Sequence, residues 1–348
     1  MLVYLNDWVK RLAMATIKDV ADLAGVSVAT VSYVINKTKP VAPETAARVY
    51  KAIEALDYKP NAVARSLRTR NTFTLGVIVS DITNPFFAAL VRGVEDFARE
   101  HGYSVLICNT SEDPDNERLY LDLLSRRRMD GVLLAPVGAN HDLISQLVNK
   151  GMKIVFVDRF IENINVPAVL SKNEEGAYCA TSHLISYGHR KIGIVLGLPH
   201  ISTTQERLAG YRKALREHGI EPDPRFEIRG ESRVSEAREA CLQLLSQHDR
   251  PTAIFATNNF MTIGVMQAIH RLGLNCPEEI SVVGFDDFEW TEAFSPPLTT
   301  VAQNPYKMGV VAARILMDWL SHDSRACLAR VRLETELRIR GSVAPPAN

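Results

Sequence analysis

One glycine dictates how this chain begins. Residues 16–36 read TIKDVADLAGVSVATVSYVIN, two short stretches of helical apolar spacing that meet at Gly25-Val26, where the backbone must turn sharply. Thr16 stands at the N-cap of a first helix with Asp19 in its first turn, and Val20, Ala21, Leu23 and Ala24 form its apolar face. Ser27 caps a second helix at once. Val31, Val34 and Ile35 turn inward on it, leaving Val28, Ala29, Thr30, Ser32 and Tyr33 outward. This is the pattern of a helix-turn-helix, in which the outward N-terminal residues of the second helix enter the DNA major groove. A third helix over 43–58, with Pro43 at its first position, brings Ala47, Val49, Ala52, Ile53 and Leu56 to close a three-helix core. Ala42 before it offers no side-chain cap, so about 1 kcal/mol of capping goes unused.

The 348 residues balance 40 Lys and Arg against 40 Asp and Glu, so the chain as a whole has no electrostatic pull on DNA. The charge is segregated instead. Between Met14 and Arg70, nine basic residues face five acidic ones, which suits a small basic head on a larger acidic body. The length allows two to three domains. No apolar run approaches the roughly 20 residues of a membrane helix, and residues 1–13 are too short and too polar for a secretory signal. They read as a disordered extension or an alternative start before Met14. Cys108, Cys179, Cys241, Cys276 and Cys327 show no paired spacing, so neither a disulfide framework nor a zinc site is expected, and they read as small buried hydrophobes of a cytoplasmic protein.

From Thr74 apolar runs alternate with amphipathic helices, which predicts parallel sheets covered on both faces. Strands are expected over 74–79, 103–108, 131–135 and 153–157, then over 191–196, 226–229, 253–256 and 281–285. The two similar halves make a cleft between them.

With IKDVADLAGVSVATVSYVIN and YKPNAVARSLR at the front, and TLGVIVSDITNPFF, RLAGY, VVGFDD and PPLTTV in the body, the chain resembles the LacI/GalR family of bacterial transcription regulators from about Ala15 to Arg340. The resemblance implies an α/β protein: an all-α helix-turn-helix headpiece over 14–59, a hinge helix and linker over 60–72, and a type I periplasmic-binding-protein-like core over 73–340. That core consists of two doubly wound parallel-sheet subdomains, 73–172 with 304–330 and 173–302 with 331–340, followed by a tail over 341–348. Chain crossings fall near 171–174, 301–305 and 331, with a closing strand over 332–340 in the second subdomain.

For DNA, the resemblance points to Thr16, Ser27, Val28, Ala29, Thr30, Ser32, Tyr33 and Lys39 in the head. Val28 and Ala29 carry no donor or acceptor and can offer bases only apolar contact. In the hinge it points to Asn61, Ala64, Leu67 and Arg68, with Leu67 as the wedge between minor-groove base steps. For a small effector it points to Asn84, Phe86, Asp158, Arg159, Arg207, Asn258 and Asp286, residues at predicted strand ends, where ligands of α/β folds sit. Carboxylates and guanidiniums in that set suit the hydroxyls of a sugar or sugar acid. A purine-like corepressor or a protein partner is the alternative, the purine disfavoured by a shortage of aromatic surfaces. Asn259 and Lys172 depart from the family pattern, as does the lack of an aromatic residue near Ser232.

There is no phosphate-cradling glycine loop, metal-ligand spacing or nucleophile elbow, so no enzyme, cofactor or metal is expected. The reading is a cytoplasmic, sequence-specific repressor that binds double-stranded operator DNA as a homodimer under effector control, with induction the expected sign. No heptad repeat follows the core, so no coiled-coil tetramer is expected.

Overall fold

The computed structural model describes residues 15–59, 71–322 and 330–347. The expectations for 1–13 and for Asn61, Ala64, Leu67, Arg68 and Cys327 lie outside the described residues. The chain divides into two compact units, Met1–Thr72 and Phe73–Asn348.

The first unit holds three helices among its described residues, α1 (Ile17–Ala24), α2 (Val28–Asn36) and α3 (Pro43–Ala55). Thr16 and Asp19 form a reciprocal capping box, the Thr16 amide donating to Asp19 Oδ2 at 2.8 Å and the Asp19 amide to Thr16 Oγ1 at 3.4 Å. Gly25 ends α1 at φ 62°, a left-handed conformation that suits a residue without Cβ. Val20, Ala21, Ala24, Val31, Val34, Val49 and Ala52 make the buried core. Leu23 does not join it: 57% exposed, it lies outside the stripe that α1 presents to its neighbours. Ala47 is exposed as well, and Ala46 packs against the core in its place.

In the second unit, a sheet of order β11-β5-β4-β3-β1-β2 is parallel throughout. Its strands are β1 (Thr74–Val79), β2 (Ser104–Asn109), β3 (Gly131–Leu134), β4 (Ile154–Asp158), β5 (Ala168–Ser171) and β11 (Arg330–Leu333). The other sheet, β12-β10-β9-β8-β6-β7, repeats this order with β6 (Ile192–Leu196), β7 (Glu227–Arg229), β8 (Ala253–Ala256), β9 (Ser281–Phe285), β10 (Thr299–Ala302) and an antiparallel β12 (Glu336–Arg338). The inner strands are buried on both faces, which is why they read as unbroken apolar runs.

Helices α4 (Pro85–Glu100), α5 (Pro114–Arg126) and α6 (His141–Asn149) follow β1, β2 and β3. In the second half α7 (Asn173–Ser186) precedes β6, while α8 (Ser202–Glu217), α9 (Val234–Leu245) and α10 (Asn259–Arg271) follow β6, β7 and β8. The short α11 (Trp290–Ala293) follows β9, and α12 (Pro305–His322) returns to pack on α4 and the first sheet. Several of these helix pairs approach backbone to backbone. A Cβ on Gly309 of α12 would lie 2.0 Å from the Leu90 carbonyl of α4, and one on Gly210 of α8 would lie 2.1 Å from the Glu174 carbonyl of α7.

The closing segment departs from expectation. In place of one strand over 332–340 there are two, β11 on the first sheet and β12 on the second, so the last crossing falls at 334–335 instead of near 331. Lys172, on the first crossing, holds the third one. Its amide donates to Leu333 O at 2.9 Å, its carbonyl accepts from Thr335 Oγ1 at 3.4 Å, and its ammonium pairs with Glu334 at 2.5 Å. The four-residue strands β5 and β10 are absent from the expected set.

Beyond Gly341 the chain is built into the second subdomain. Ser342 Oγ donates to Val282 O and accepts from Thr299 N, while Ala344 exchanges bonds with Ser281 Oγ and its carbonyl meets His189 Nε2 at 2.9 Å. Cys179, expected to be buried, is exposed. No helix among the described residues is long and apolar enough to cross a membrane.

Gly309→Ala is expected to cost about 2 to 3 kcal/mol of stability, since the added methyl meets a backbone carbonyl that cannot step aside. Gly102→Ala, at φ +76° with nothing within 4 Å, should cost only about 1 kcal/mol. Calorimetric melting of the two variants checks the order.

Candidate functional site

On the head, Val28 and Ala29 lie at the exposed start of α2, Val28 at 42% exposure. The polar residues around them are largely engaged. Ser27 Oγ accepts from Thr30 N at 3.1 Å and shares a bond with Thr30 Oγ1 at 2.9 Å, and Asn36 Nδ2 donates to Ser32 Oγ at 3.2 Å. Lys39 sets its ammonium 5.0 Å from the centre of the Tyr33 ring, a cation held at the edge of the same surface. Thr16 spends its side chain on Asp19, whose carboxyl it holds below the usual range. The face thus offers apolar contact from Val28 and Ala29, with the hydroxyls of Ser27, Thr30 and Ser32 already oriented by neighbours.

In the body, a cavity of about 380 Å³ opens between the two subdomains. All seven effector candidates, Asn84, Phe86, Asp158, Arg159, Arg207, Asn258 and Asp286, line it. They converge because parallel strands bring their carboxyl ends to one edge, and six of them stand at or follow the ends of β1, β4, β8 and β9. Arg207 is the exception. It lies in the second turn of α8, which begins at Ser202 behind an Ile201 that provides no side-chain cap.

The backbone lining the cavity is strained at equivalent places in the two halves. Ser111 and Glu112 after β2 match Glu231 and Ser232 after β7, and Asp158 at the end of β4 matches Asp286 after β9. All six are non-glycine residues with φ between 48° and 78°, each at a cost of roughly 1 to 2 kcal/mol.

The charged groups fall into a closed set and an open set. Arg159 donates to both Glu112 oxygens at 3.0 and 2.9 Å and to Asp158 Oδ2 at 3.1 Å. Burial works to lower its pKa, but the two carboxylates override that and hold it up. Arg207 lies with its guanidinium carbon 3.7 Å from the centre of the Phe285 ring and donates to Asn173 Oδ1 at 2.9 Å and to Thr257 O at 2.5 Å. Burial pushes its pKa down. Asp286 accepts from Asn259 N at 3.2 Å and from Gln303 Nε2 at 2.5 Å, and burial pushes its carboxyl up against the pull of Arg207. Burial likewise raises Asp158. Among the described residues no ion pair within 4 Å joins Arg207 to Asp286, so both have capacity for a polar guest.

Asn258 and Asn84 reach the cavity but are partly committed. Asn258 Oδ1 caps α10 through Met261 N at 2.7 Å, and the Asn84 amide is bonded to Asn259 and to Phe86 N. Asp287, adjacent to Asp286, turns away to Arg338, Arg340, Thr291 and Thr300. Residues that sequence reasoning missed include Glu112, Gln303 and the rings of Phe87 and Phe260. Gln303 lies within the expected crossing over 301–305, and its Oε1 is buried without a protein partner. Phe87 directly follows a candidate that was named. Nothing in the sequence marks Glu112.

The chain matches the family described as periplasmic binding proteins and sugar binding domain of LacI family over residues 72–337, and bacterial regulatory proteins, lacI family, over 16–61. An HTH-type transcriptional repressor PurR of Aliivibrio salmonicida is 41% identical over 306 residues, 88% of this chain and 92% of that one. Among solved structures, a complex of the transcriptional regulator CelR with cellobiose is 32% identical at TM-score 0.72, covering 94% of this chain and 99% of the other. The Lac repressor dimer bound to operator and the anti-inducer ONPF is 27% identical at TM-score 0.84, covering 95% and 100%.

Asp287→Asn is expected to cost about 3 kcal/mol, because it strips a buried carboxylate from two guanidiniums. Burial works to raise the Asp287 pKa, but its bonds to Arg340, Thr300, Thr291 and Arg338 hold it well below the usual range. Its contribution is therefore complete above about pH 4 and fades as the pH falls through the folded-state value. Melting curves at pH 7 and in acid should show the gap between wild type and variant narrowing in acid.

Proposed function

The chain belongs to the LacI family of bacterial regulatory proteins and is a DNA-binding repressor of that family, and from that premise we propose that it grips a pseudo-palindromic operator as a homodimer in the cytoplasm while a small ligand in the cavity sets its affinity for DNA. The observation that carries this reading is the cavity itself. Its walls come from both subdomains, with Asp158 from one and Arg207 and Asp286 from the other, so a ligand that touches all three favours one arrangement of the halves. It can shift operator binding only by its difference in affinity for the two arrangements.

For the ligand we favour a purine-like corepressor. Likeness to PurR over most of both chains supports it, and Phe86, Phe87 and Phe260 on the wall supply the aromatic surface in which the sequence looked short. Asp158, Asp286 and the unpartnered Gln303 Oε1 are acceptors for ring N–H groups. A sugar is the second reading, supported by the acid and guanidinium groups and by the likeness to CelR. Within it a neutral sugar fits better than a sugar acid: six carboxylates and three guanidiniums line the cavity, and two of the three, Arg159 and Arg233, already pair with carboxylates of the same wall.

In the head, Val28 and Ala29 meet thymine methyls or similar apolar edges, and phosphate contacts set the register. The hinge residues Asn61, Ala64, Leu67 and Arg68 enter the minor groove, with Leu67 wedged between base steps.

A thermal-shift panel of purine bases, neutral pentoses and hexoses, and uronic acids tests the ligand. A purine base at 100 times its Kd should stabilise the protein by about 2.7 kcal/mol. Shifts from neutral sugars alone would favour the second reading, and no shift from any of them would remove the small-ligand reading. If the ligand is a purine corepressor, operator affinity should rise in its presence, the reverse of the induction expected for a sugar; in either case Asp286→Ala should keep operator binding but lose the response. Leu67→Ala should weaken specific operator binding by about tenfold or more while sparing random duplex, and equal loss of both would reject the wedge.

A further inference from the structure

Contacts between the subdomains follow the internal symmetry of the body. Since β6 repeats β1 and β8 repeats β3, the loop after β1 meets the loop after β8, and the loops after β3 and β4 meet the loop after β6. At the second meeting main-chain groups are used: His200 Nε2 bonds to Val137 O at 3.1 Å, and Ser202 Oγ accepts from Phe160 N at 3.1 Å. At the first, two side-chain amides do the work. Asn84 Nδ2 donates to Asn259 Oδ1 at 3.2 Å, and Asn259 Nδ2 donates to Asn84 Oδ1 at 2.8 Å.

The orientation of both amides is fixed by their own helices. Asn84 Oδ1 also accepts from Phe86 N at 3.0 Å, and Asn259 Oδ1 accepts from Phe260 N at 2.8 Å. Turning either amide over would set an NH₂ against a backbone N–H and an oxygen against an oxygen. Each oxygen therefore accepts a first-turn N–H of its own helix and receives a donor from the opposite subdomain. Asn259 is fully buried and Asn84 nearly so, which withholds water from the pair. The backbone N–H of Asn259 in turn holds Asp286 Oδ2 at the cavity wall.

We propose that Asn84 and Asn259 form an uncharged latch that holds the two subdomains together, and that Asn259 is a positioning residue joining this latch to Asp286. The link to ligand rests on the reading of Asp286 given above; the latch does not. Occupancy of Asp286 and closure of the cleft are then coupled through one residue with two bonds, main chain to Asp286 and side chain to Asn84.

The test measures the separation of the subdomains in the full-length protein, by pulsed EPR between labels on unnatural ketone side chains at the exposed positions Asp142 and Arg271, which leaves the native cysteines untouched. Asn84→Asp and Asn259→Asp each keep an acceptor for their own helix but lose the donor across the cleft and set two oxygens face to face. Both should shift the distance distribution to longer separations and change operator affinity in the same direction, by about tenfold. The pair Asn84→Ala and Asn259→Ala should give a double variant no more altered than the stronger single. Distances unchanged from wild type, or additive effects of the two alanines, would overturn the latch, because two independent helix caps lower melting temperature additively and leave separations alone. If the buried Asn259→Asp does not fold, Asn84→Asp and Asn84→Ala decide by the same distances. Failure of the unsubstituted protein to bind any operator would sink the repressor reading and leave the distance result standing.

Discussion

Parallel strands have a direction, and that one constraint organises the body. Every crossover in a parallel sheet returns the chain to the same edge, so the strands of each sheet release their loops on one side. Three crossings, around Lys172, at Gln303 and Asn304, and at Glu334 and Thr335, join the two sheets with those sides facing. The hinge is also wired to the cavity. Arg332 of β11 donates to Glu206, Glu206 accepts from Asn173, and Asn173 accepts from Arg207, so a strand of the first sheet is linked through three side chains to a guanidinium at the wall.

The cavity concentrates features that stability alone would not select. Six left-handed non-glycine residues and several buried charges lie around one space, while the core behind it is apolar and fully buried. Part of this cost is offset internally, as Glu112 and Asp158 offset the burial of Arg159. Part is not. Gln303 Oε1 has no protein partner, and Arg207 and Asp286 are not paired with each other. A guest that brings donors and acceptors to those atoms makes hydrogen bonds that the protein's own residues do not.

The head was legible in the sequence because its signals are local: a capping box, one left-handed glycine, a serine cap and helical spacing all lie within 21 residues. The seven effector candidates were legible for a related reason, since most stand directly after apolar runs whose ends fix strand termini. Leu23 misled because its spacing fits the stripe only at the edge, where the three helices leave it more than half exposed. The strands β5 and β10 were not marked out by the sequence pattern, and β11 and β12 were read as one closing strand, so the last crossing was misplaced with them. Glu112 was invisible for another reason. Its role comes from Arg159, 47 residues away in sequence, and no local pattern records that distance.

The built-in C-terminal segment sets where anything fused to this protein can lie. Ser342 and Ala344 bond to Ser281 and Thr299, the first residues of β9 and β10, and to His189 just before β6, so the segment seals the amino ends of the second sheet while the cavity opens at the carboxyl ends. An affinity tag, fluorophore or surface tether attached there would leave the mouth of the cleft unobstructed. Trimming back to Gly341 would instead strip the base of that sheet of its hydrogen-bond partners, so the same few residues serve as a convenient handle and a poor place to cut.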